Sequence, residues 1–395
     1  MSNGISKGKN VPNVPNLRFP EFSDEWLKTQ LKNDCLFFKG NTLSKEDLSD
    51  NGNPCILYGQ LYTTYKREII REVLSKTENI NPNLFYGKSN DVIIPASGET
   101  AEDISTAFCV LPNDIIFGGD LNVLRSHHNG SFLSYQLNGV RKFEIAKFAV
   151  GKSVVHLHNE ELKNLVCFFP ENINEENKIV AFMDLIDSRI ETQNKIIEDL
   201  KTYRNSLIDK YFKNCNSRIS LKEVLKERNM FSKKGLEFEH VTLSKEGIVP
   251  KSERYERDFL VKDNSKEYKI TKLNDICYNP ANLKFGVICI NEYGDSIFSP
   301  IYVTFEVEKF DPYYVSLYLT NKNFINYILK YQQGTVYERM AVSPEDLVKG
   351  QLPYSDKANS FTKLIRKIDL KINNEINILK KYYSRKTYML QNLFI

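Results

Sequence analysis

At 395 residues, with 41% hydrophobic and 26% charged side chains, the chain has the balance of a soluble globular protein with room for two or three domains. No apolar run approaches the roughly 18 residues of a membrane span, which argues against a helical membrane protein. The formal charge of +4 is too small to announce a nucleic-acid partner by itself. Seven dispersed cysteines without a CxxC pair are what a reducing cytoplasm permits, so a cytoplasmic location is expected.

Residues 1–16 are rich in Asn, Gly, Lys and Pro, lack a signal-peptide core, and are expected to form a flexible start. Residues 17–166 form a mixed segment. Short β-type runs such as Asp91-Val92-Ile93-Ile94-Pro95 and Asn113-Asp114-Ile115-Ile116-Phe117 alternate there with turn clusters such as Asp50-Asn51-Gly52-Asn53-Pro54. It closes with Gly151-Lys152-Ser153, Val154-Val155-His156-Leu157 and Glu160-Glu161-Leu162, and Pro170 leads into a long amphipathic helix. Residues 167–215 hold that helix, expected from about Asn177 to Phe212. Residues 216–350 repeat the mixed pattern in shorter form. Leu221-Lys222-Glu223-Val224-Leu225 resembles Leu27-Lys28-Thr29-Gln30-Leu31, and Glu345-Asp346-Leu347 takes the place of Glu160-Glu161-Leu162. Residues 351–395 hold a second long helix, expected from about Asn359 to Phe394.

The two helices repeat each other. At a constant offset Ile186 falls on Ile368, Asp187 on Asp369, Ile190 on Ile372, Ile196 on Ile378 and Phe212 on Phe394. An internal repeat of this kind decides the architecture. The expected fold class is α+β: two mixed α/β domains separated by a pair of long antiparallel coiled-coil helices, as a pseudo-twofold repeat. A heptad frame fits both helices, with polar breaks at Gln193 and Arg204 in the first and at Glu375 and Lys386 in the second. An antiparallel pairing that sets Arg204 opposite Glu375 and Gln193 opposite Lys386 matches polar with polar along the seam. Sliding by a heptad would leave the Gln193 amide against hydrocarbon, at a cost on the order of 1–3 kcal/mol. A parallel pairing would bring Arg204 near Lys386.

No catalytic constellation emerges. Ala146 stands where the first glycine of a P-loop ending in Gly151-Lys152-Ser153 should be, so no phosphate cradle is expected. Asn81-Pro82-Asn83-Leu84-Phe85 lacks the second proline of an adenine methyltransferase motif. His127-His128 and His156-x-His158 have no cysteine partners nearby, and no metal site is expected.

The chain closely resembles the specificity subunit of type I restriction–modification systems. The resemblance rests on Pro15-Asn16-Leu17-Arg18-Phe19-Pro20-Glu21-Phe22 with Trp26, Tyr58-Gly59-Gln60-Leu61-Tyr62, Ser97-Gly98-Glu99-Thr100, Gly118-Gly119-Asp120-Leu121-Asn122 and the Gly-x-Ser-Val-x-His-Leu stretch from Gly151. It implies two target-recognition domains, residues 17–166 and 216–350, each reading one half of a split DNA sequence. The helices would be spacers that set the unread gap. It further implies a non-catalytic chain that binds no cofactor itself. Its partners would be double-stranded DNA, two methyltransferase subunits using S-adenosylmethionine, and two restriction motor-nuclease subunits using ATP and Mg.

Base reading needs Arg, Lys, Asn or Gln on turns, and phosphate contact needs Lys, Arg, Ser and Thr. On that ground the first domain offers Thr63, Thr64, Tyr65, Lys66, Ser97, Thr100, Asn122, Arg125, Lys152 and Ser153. The second offers Lys233, Lys234, Asn282, Lys284, Tyr293, Gln332, Gln333, Thr335 and Arg339. Ser97-Gly98-Glu99-Thr100 also suits a plain turn that orders a strand end. The competing function is a coiled-coil interaction scaffold with two protein-binding heads, which would lack a steep salt dependence of DNA binding.

Overall fold

The computed structural model describes residues 12–41, 43–81, 84–151, 154–233, 238–245, 247–251, 267–334 and 340–395. The chain forms two compact units, Met1–Lys195 with Asn377–Ile395, and Ile196–Ile376. Each unit therefore combines a mixed domain with a stretch of both long helices. Those helices run Ile173–Lys213 and Ala358–Asn392.

 The first starts four residues before the periodicity predicts, because the Asn172 side chain accepts the Asn174 backbone N–H at 3.0 Å and caps the new turn. The second begins at Ala358 and stops at Asn392, so that Phe394 leaves the helix and turns into the core.

The first unit is built on two five-stranded sheets. One has the spatial order Cys35–Lys39, Leu121–Ser126, Asp91–Pro95, Phe108–Val110, Ile69–Ile70; the other runs Leu48–Ser49, Ser75–Thr77, Asn53–Ile56, Ile115–Phe117, Tyr86–Gly87. Asp91–Pro95 is buried along its whole length. Alternate side chains of a strand point to opposite faces, and here Val92 and Ile94 feed one core while Ile93 feeds another. The helix Gly130–Asn138 is capped by Asn129, whose side chain accepts from the Ser131 and Phe132 amides. It carries Phe132 into the larger core, 5.5 Å from Trp26 and 5.1 Å from Phe394 between ring centroids. Ile179 and Met183 of the first long helix and Leu390 and Leu393 of the second close the same core. The two ends of the described chain meet here: the Leu17 amide donates to the Asn392 carbonyl at 2.8 Å.

The second unit repeats the plan with a four-stranded sheet (Leu225–Glu227, Val303–Val307, Ile276–Tyr278, Ile288–Ile290) and a five-stranded one (Phe231–Lys233, Glu267–Thr271, Ser296–Phe298, Glu239–Ser244, Gly247–Pro250). Its helix Pro312–Leu319 starts from an Asp311 cap with proline in the first turn, where the missing N–H costs nothing. Tyr314 from that helix packs with Phe212 and Phe361 of the long helices, and Tyr211 stacks on Phe361 at 3.7 Å.

Each mixed domain is closed by an antiparallel ribbon: Leu27–Gln30 with Val166–Phe169, and Ser217–Ser220 with Gln351–Tyr354. The Leu31 amide then donates to the Leu165 carbonyl and the Leu221 amide to the Gly350 carbonyl, both at 3.0 Å. Leu221 is thus the counterpart of Leu31. The alignment of Leu221 with Leu27 is corrected, because hydrogen-bonded position rather than local similarity defines the repeat.

Within each unit the long helices run antiparallel. In the second unit Arg204 pairs with Asp369, and two turns further along the first helix Tyr211 meets Phe361, two turns back along the second. In the first unit Lys386 lies 2.7 Å from Asp187. The expected register, Arg204 opposite Glu375 and Lys386 opposite Gln193, is corrected. Each cation instead binds the aspartate just beyond a seam isoleucine. A tyrosine of the mixed domain fixes that aspartate: the Tyr135 hydroxyl donates to Asp187 at 2.7 Å, and the Tyr313 hydroxyl donates to Asp369. A heptad frame holds only seam positions and has no place for either tyrosine. Glu375 is paired with Lys371 on its own helix.

Candidate nucleic-acid interface

Turn residues present donors outward only if the fold does not need those donors itself. In the first unit that condition divides the expected residues. The short helix Gln60–Thr63 leaves Thr63, Thr64 and Lys66 exposed, while Tyr65 packs against the second core. The Thr63 hydroxyl donates back to the Gly59 carbonyl at 3.1 Å. This segment is tied down by Tyr62, whose hydroxyl donates to the Ser97 carbonyl at 2.9 Å. Burial, and then nearby Asp103, push the Tyr62 phenol up from its ordinary value and keep it a neutral donor. A Cβ at Gly98 would stand 2.9 Å from the Tyr62 hydroxyl, so a larger residue there would push that hydroxyl aside.

Ser97–Gly98 forms a small ribbon with Val155–His156. The Ser97 hydroxyl sits 3.2 Å from His156 Nδ1 and is buried. Thr100 caps the turn Ala101–Ile104, accepting the Asp103 amide at 3.1 Å and donating to the Asp103 carboxylate at 2.7 Å. These two residues order a strand end, and their hydroxyls are spent on it.

Two expected base readers are corrected. Asn122 is completely buried, and its Nδ2 donates to the Leu157 carbonyl at 2.9 Å. Arg125 makes a two-pronged pair with Asp91, both bonds 2.7 Å, over the rings of Phe38 and Phe85. The hydrogen bond to Asp91 raises the Arg125 pKa. Asp91 is wholly buried, so its carboxylate needs this partner. Lys152 and Ser153 lie outside the described residues.

In the second unit Lys233 is exposed at the end of the strand Phe231–Lys233, and Lys284 is exposed on the turn Pro280–Phe285 beside the ring of Phe285. Asn282 on the same turn is half-buried, and its carbonyl accepts the Gly286 amide. Tyr293 is exposed, and its hydroxyl donates to Glu239. Its loop is organised by fully buried Asn291, which accepts the Tyr293 and Gly294 amides and donates to the Lys272 and Gly294 carbonyls. Gln332 donates to the Met340 carbonyl and Gln333 to Asp346, so both amides serve the fold. Lys234, Thr335 and Arg339 lie outside the described residues.

The structure thus brings Thr63, Thr64 and Lys66 beside the Ser97 ribbon in one unit. In the other it leaves Lys233, Lys284 and Tyr293 outward. Exposed Lys66, Lys233 and Lys284 suit phosphate oxygens, and exposed Tyr293 offers a stacking face. Tyr62, His156 and Asn291 hold this arrangement, and the sequence marks only Tyr62 and His156, as members of short motifs.

Residues 23–202 match the family model described as the type I restriction modification DNA specificity domain. No curated protein matches the chain by sequence. Among solved structures, the type I restriction-modification system S subunit from M. genitalium aligns with a TM-score of 0.57 and 16% identity, over 97% of this chain and 99% of that one. A second, solved in work on complex assembly and conformational transition of the type I R-M system, aligns with a TM-score of 0.57 and 12% identity, over 92% of this chain and 96% of its own. At these identities the likeness is one of fold.

Proposed function

We propose, from the match of residues 23–202 to the family model described as the type I restriction modification DNA specificity domain, that the chain is a DNA-binding specificity subunit that reads a bipartite target. Each mixed domain would read one half-site, and the helix pair would set the gap. The chain itself would be non-catalytic and would work in the cytoplasm. It would direct two methyltransferase subunits, which bring S-adenosylmethionine, and two restriction subunits, which bring ATP and Mg. One observation carries the reading: a mixed domain of this plan occurs twice, and only the first copy falls in the family match. A duplicated reading head with diverged turns suits two different half-sites. Among the described residues no helix is long and apolar enough to cross a membrane.

The test is to express the chain with its cognate methyltransferase and map methylated adenines in the host genome. The expected outcome is methylation at a split motif whose two halves are separated by a fixed number of unread bases. Replacing residues 216–350 with the corresponding segment of another specificity subunit should change one half of the motif and leave the other. A continuous motif, or one in which both halves change together, would refute the assignment of one head to each half-site.

A further inference from the structure

The paired histidines after the strand Leu121–Ser126 have a partner that sequence spacing hides. The ladder sets Ser126 opposite Cys35, which brings Asp34 beside His127 and His128. Asp34 Oδ1 lies 3.8 Å from His127 Nε2 and 3.7 Å from His128 Nε2. One ligand atom from each of the three residues falls within 4.8 Å of the others. The second Asp34 oxygen is buried and has no hydrogen-bond partner among the described residues. Behind the cluster, His128 Nδ1 is 2.6 Å from Glu176 on the first turns of the long helix, and the Asn129 amide donates to the other Glu176 oxygen at 2.8 Å. The His128 ring is stacked on Phe169 with centroids 3.8 Å apart, which fixes its plane.

We propose that Asp34, His127 and His128 bind one divalent transition-metal ion of the zinc class. Around a tetrahedral ion with bonds of about 2.0–2.1 Å, neighbouring ligand atoms stand roughly 3.3–3.4 Å apart. The distances to Asp34 are a few tenths of an ångström longer and the three ligand atoms lie within 4.8 Å of one another, so closure is a matter of side-chain rotations. His127, the most exposed of the three at 68%, has room to make them. Two imidazoles with one carboxylate favour zinc, cobalt or nickel over magnesium or calcium, which take all-oxygen sets. In the tautomer that donates Nδ1–H to Glu176, His128 keeps Nε2 as the lone-pair donor facing Asp34, the carboxylate–histidine–metal arrangement that orients such ligands. A water from the solvent side completes the shell. The ion joins the turn after one central strand to the segment before its neighbour, and through Glu176 to the long helix.

The competing account is a protonated His128 bridging two carboxylates with no ion. A tag-free full-length chain, stripped with a chelator and titrated with Zn²⁺ or Co²⁺, separates the two. Expected are saturation at one equivalent, visible Co²⁺ absorption bands and a rise in melting temperature. Glu176→Gln should weaken binding about 10- to 100-fold. His127→Ala removes an exposed ligand from a folded chain and should abolish the cobalt bands, while His158→Ala should leave them. Failure of the wild-type chain to bind either ion stoichiometrically overturns the proposal, as does unchanged binding by His127→Ala.

Discussion

At the scale of single residues, the fold claims polar groups that a sequence presents as free. Arg125 stands on a strand among turn residues and has the chemistry of a guanine reader, yet its guanidinium neutralises buried Asp91. The second unit does the same with Arg228 and Asp275, at 2.8 and 3.0 Å. In both, the aspartate follows an asparagine with positive φ, Asn90 at 77° and Asn274 at 71°, and also accepts the backbone N–H of a lysine three residues before it. Arg125→Ala should therefore act on stability. With Asp91 fully buried and the arginine about a quarter exposed, the loss is about 3 kcal/mol in urea unfolding, and Asp91→Ala in the same chain should recover part of it. A variant with wild-type stability and altered base preference would restore Arg125 as a reader. The pattern Lys-x-Asn-Asp before an apolar strand is present twice in the sequence (from Lys88 and from Lys272) and carried this signal unread. Asn122 left no comparable trace, because nothing in a single sequence distinguishes a buried asparagine bonded to a carbonyl from an exposed one.

At the scale of elements, the long helices were legible because their apolar spacing persists over more than thirty residues, and their opposite direction followed from charge. Their side-chain pairing was not, since it depends on Tyr135 and Tyr313, which reach the helices from elsewhere. Lys386 shows how much rests on those contacts. Burial works against its charge, but Glu68 and Asp187 outweigh burial and raise its pKa above the ordinary 10.5. A raised folded value means the contribution is complete below the ordinary value and lost as pH climbs through the folded one. Burial and Asp187 push the Tyr135 phenol up as well, with the same sign. Chemical unfolding followed from about pH 9 to about pH 12 should show a falling midpoint. Lys386→Met should start lower, by on the order of 3–5 kcal/mol, and lose part of that slope. An equal slope in the variant would assign the alkaline loss to other groups.

At the scale of the whole chain, the sequence reads as domain, helix, domain, helix, and the elements run as strands with short helices, then Ile173–Lys213, then strands with short helices, then Ala358–Asn392. What the order concealed is that neither domain is completed by the helix that follows it alone. The first borrows Leu390, Leu393 and Phe394 from the far end of the sequence, and the second uses Phe361 and Ile365 as well as Ile208 and Phe212. The candidate interface was less legible than the fold. Lysine and threonine on turns were recoverable, but the residues that aim them, Tyr62 and Asn291, are recognisable only by what they touch.

The bond from the Leu17 amide to the Asn392 carbonyl holds side by side two segments that are far apart in sequence. A linker from residue 395 to residue 12, with new termini at the exposed Asp356–Lys357 turn, removes residues 1–11 and reorders the segments while leaving the residues of both cores in place. Such a circular permutant should unfold at the midpoint of the parent. A permutant that misfolds would show that the order in which the segments are joined matters for how they fold.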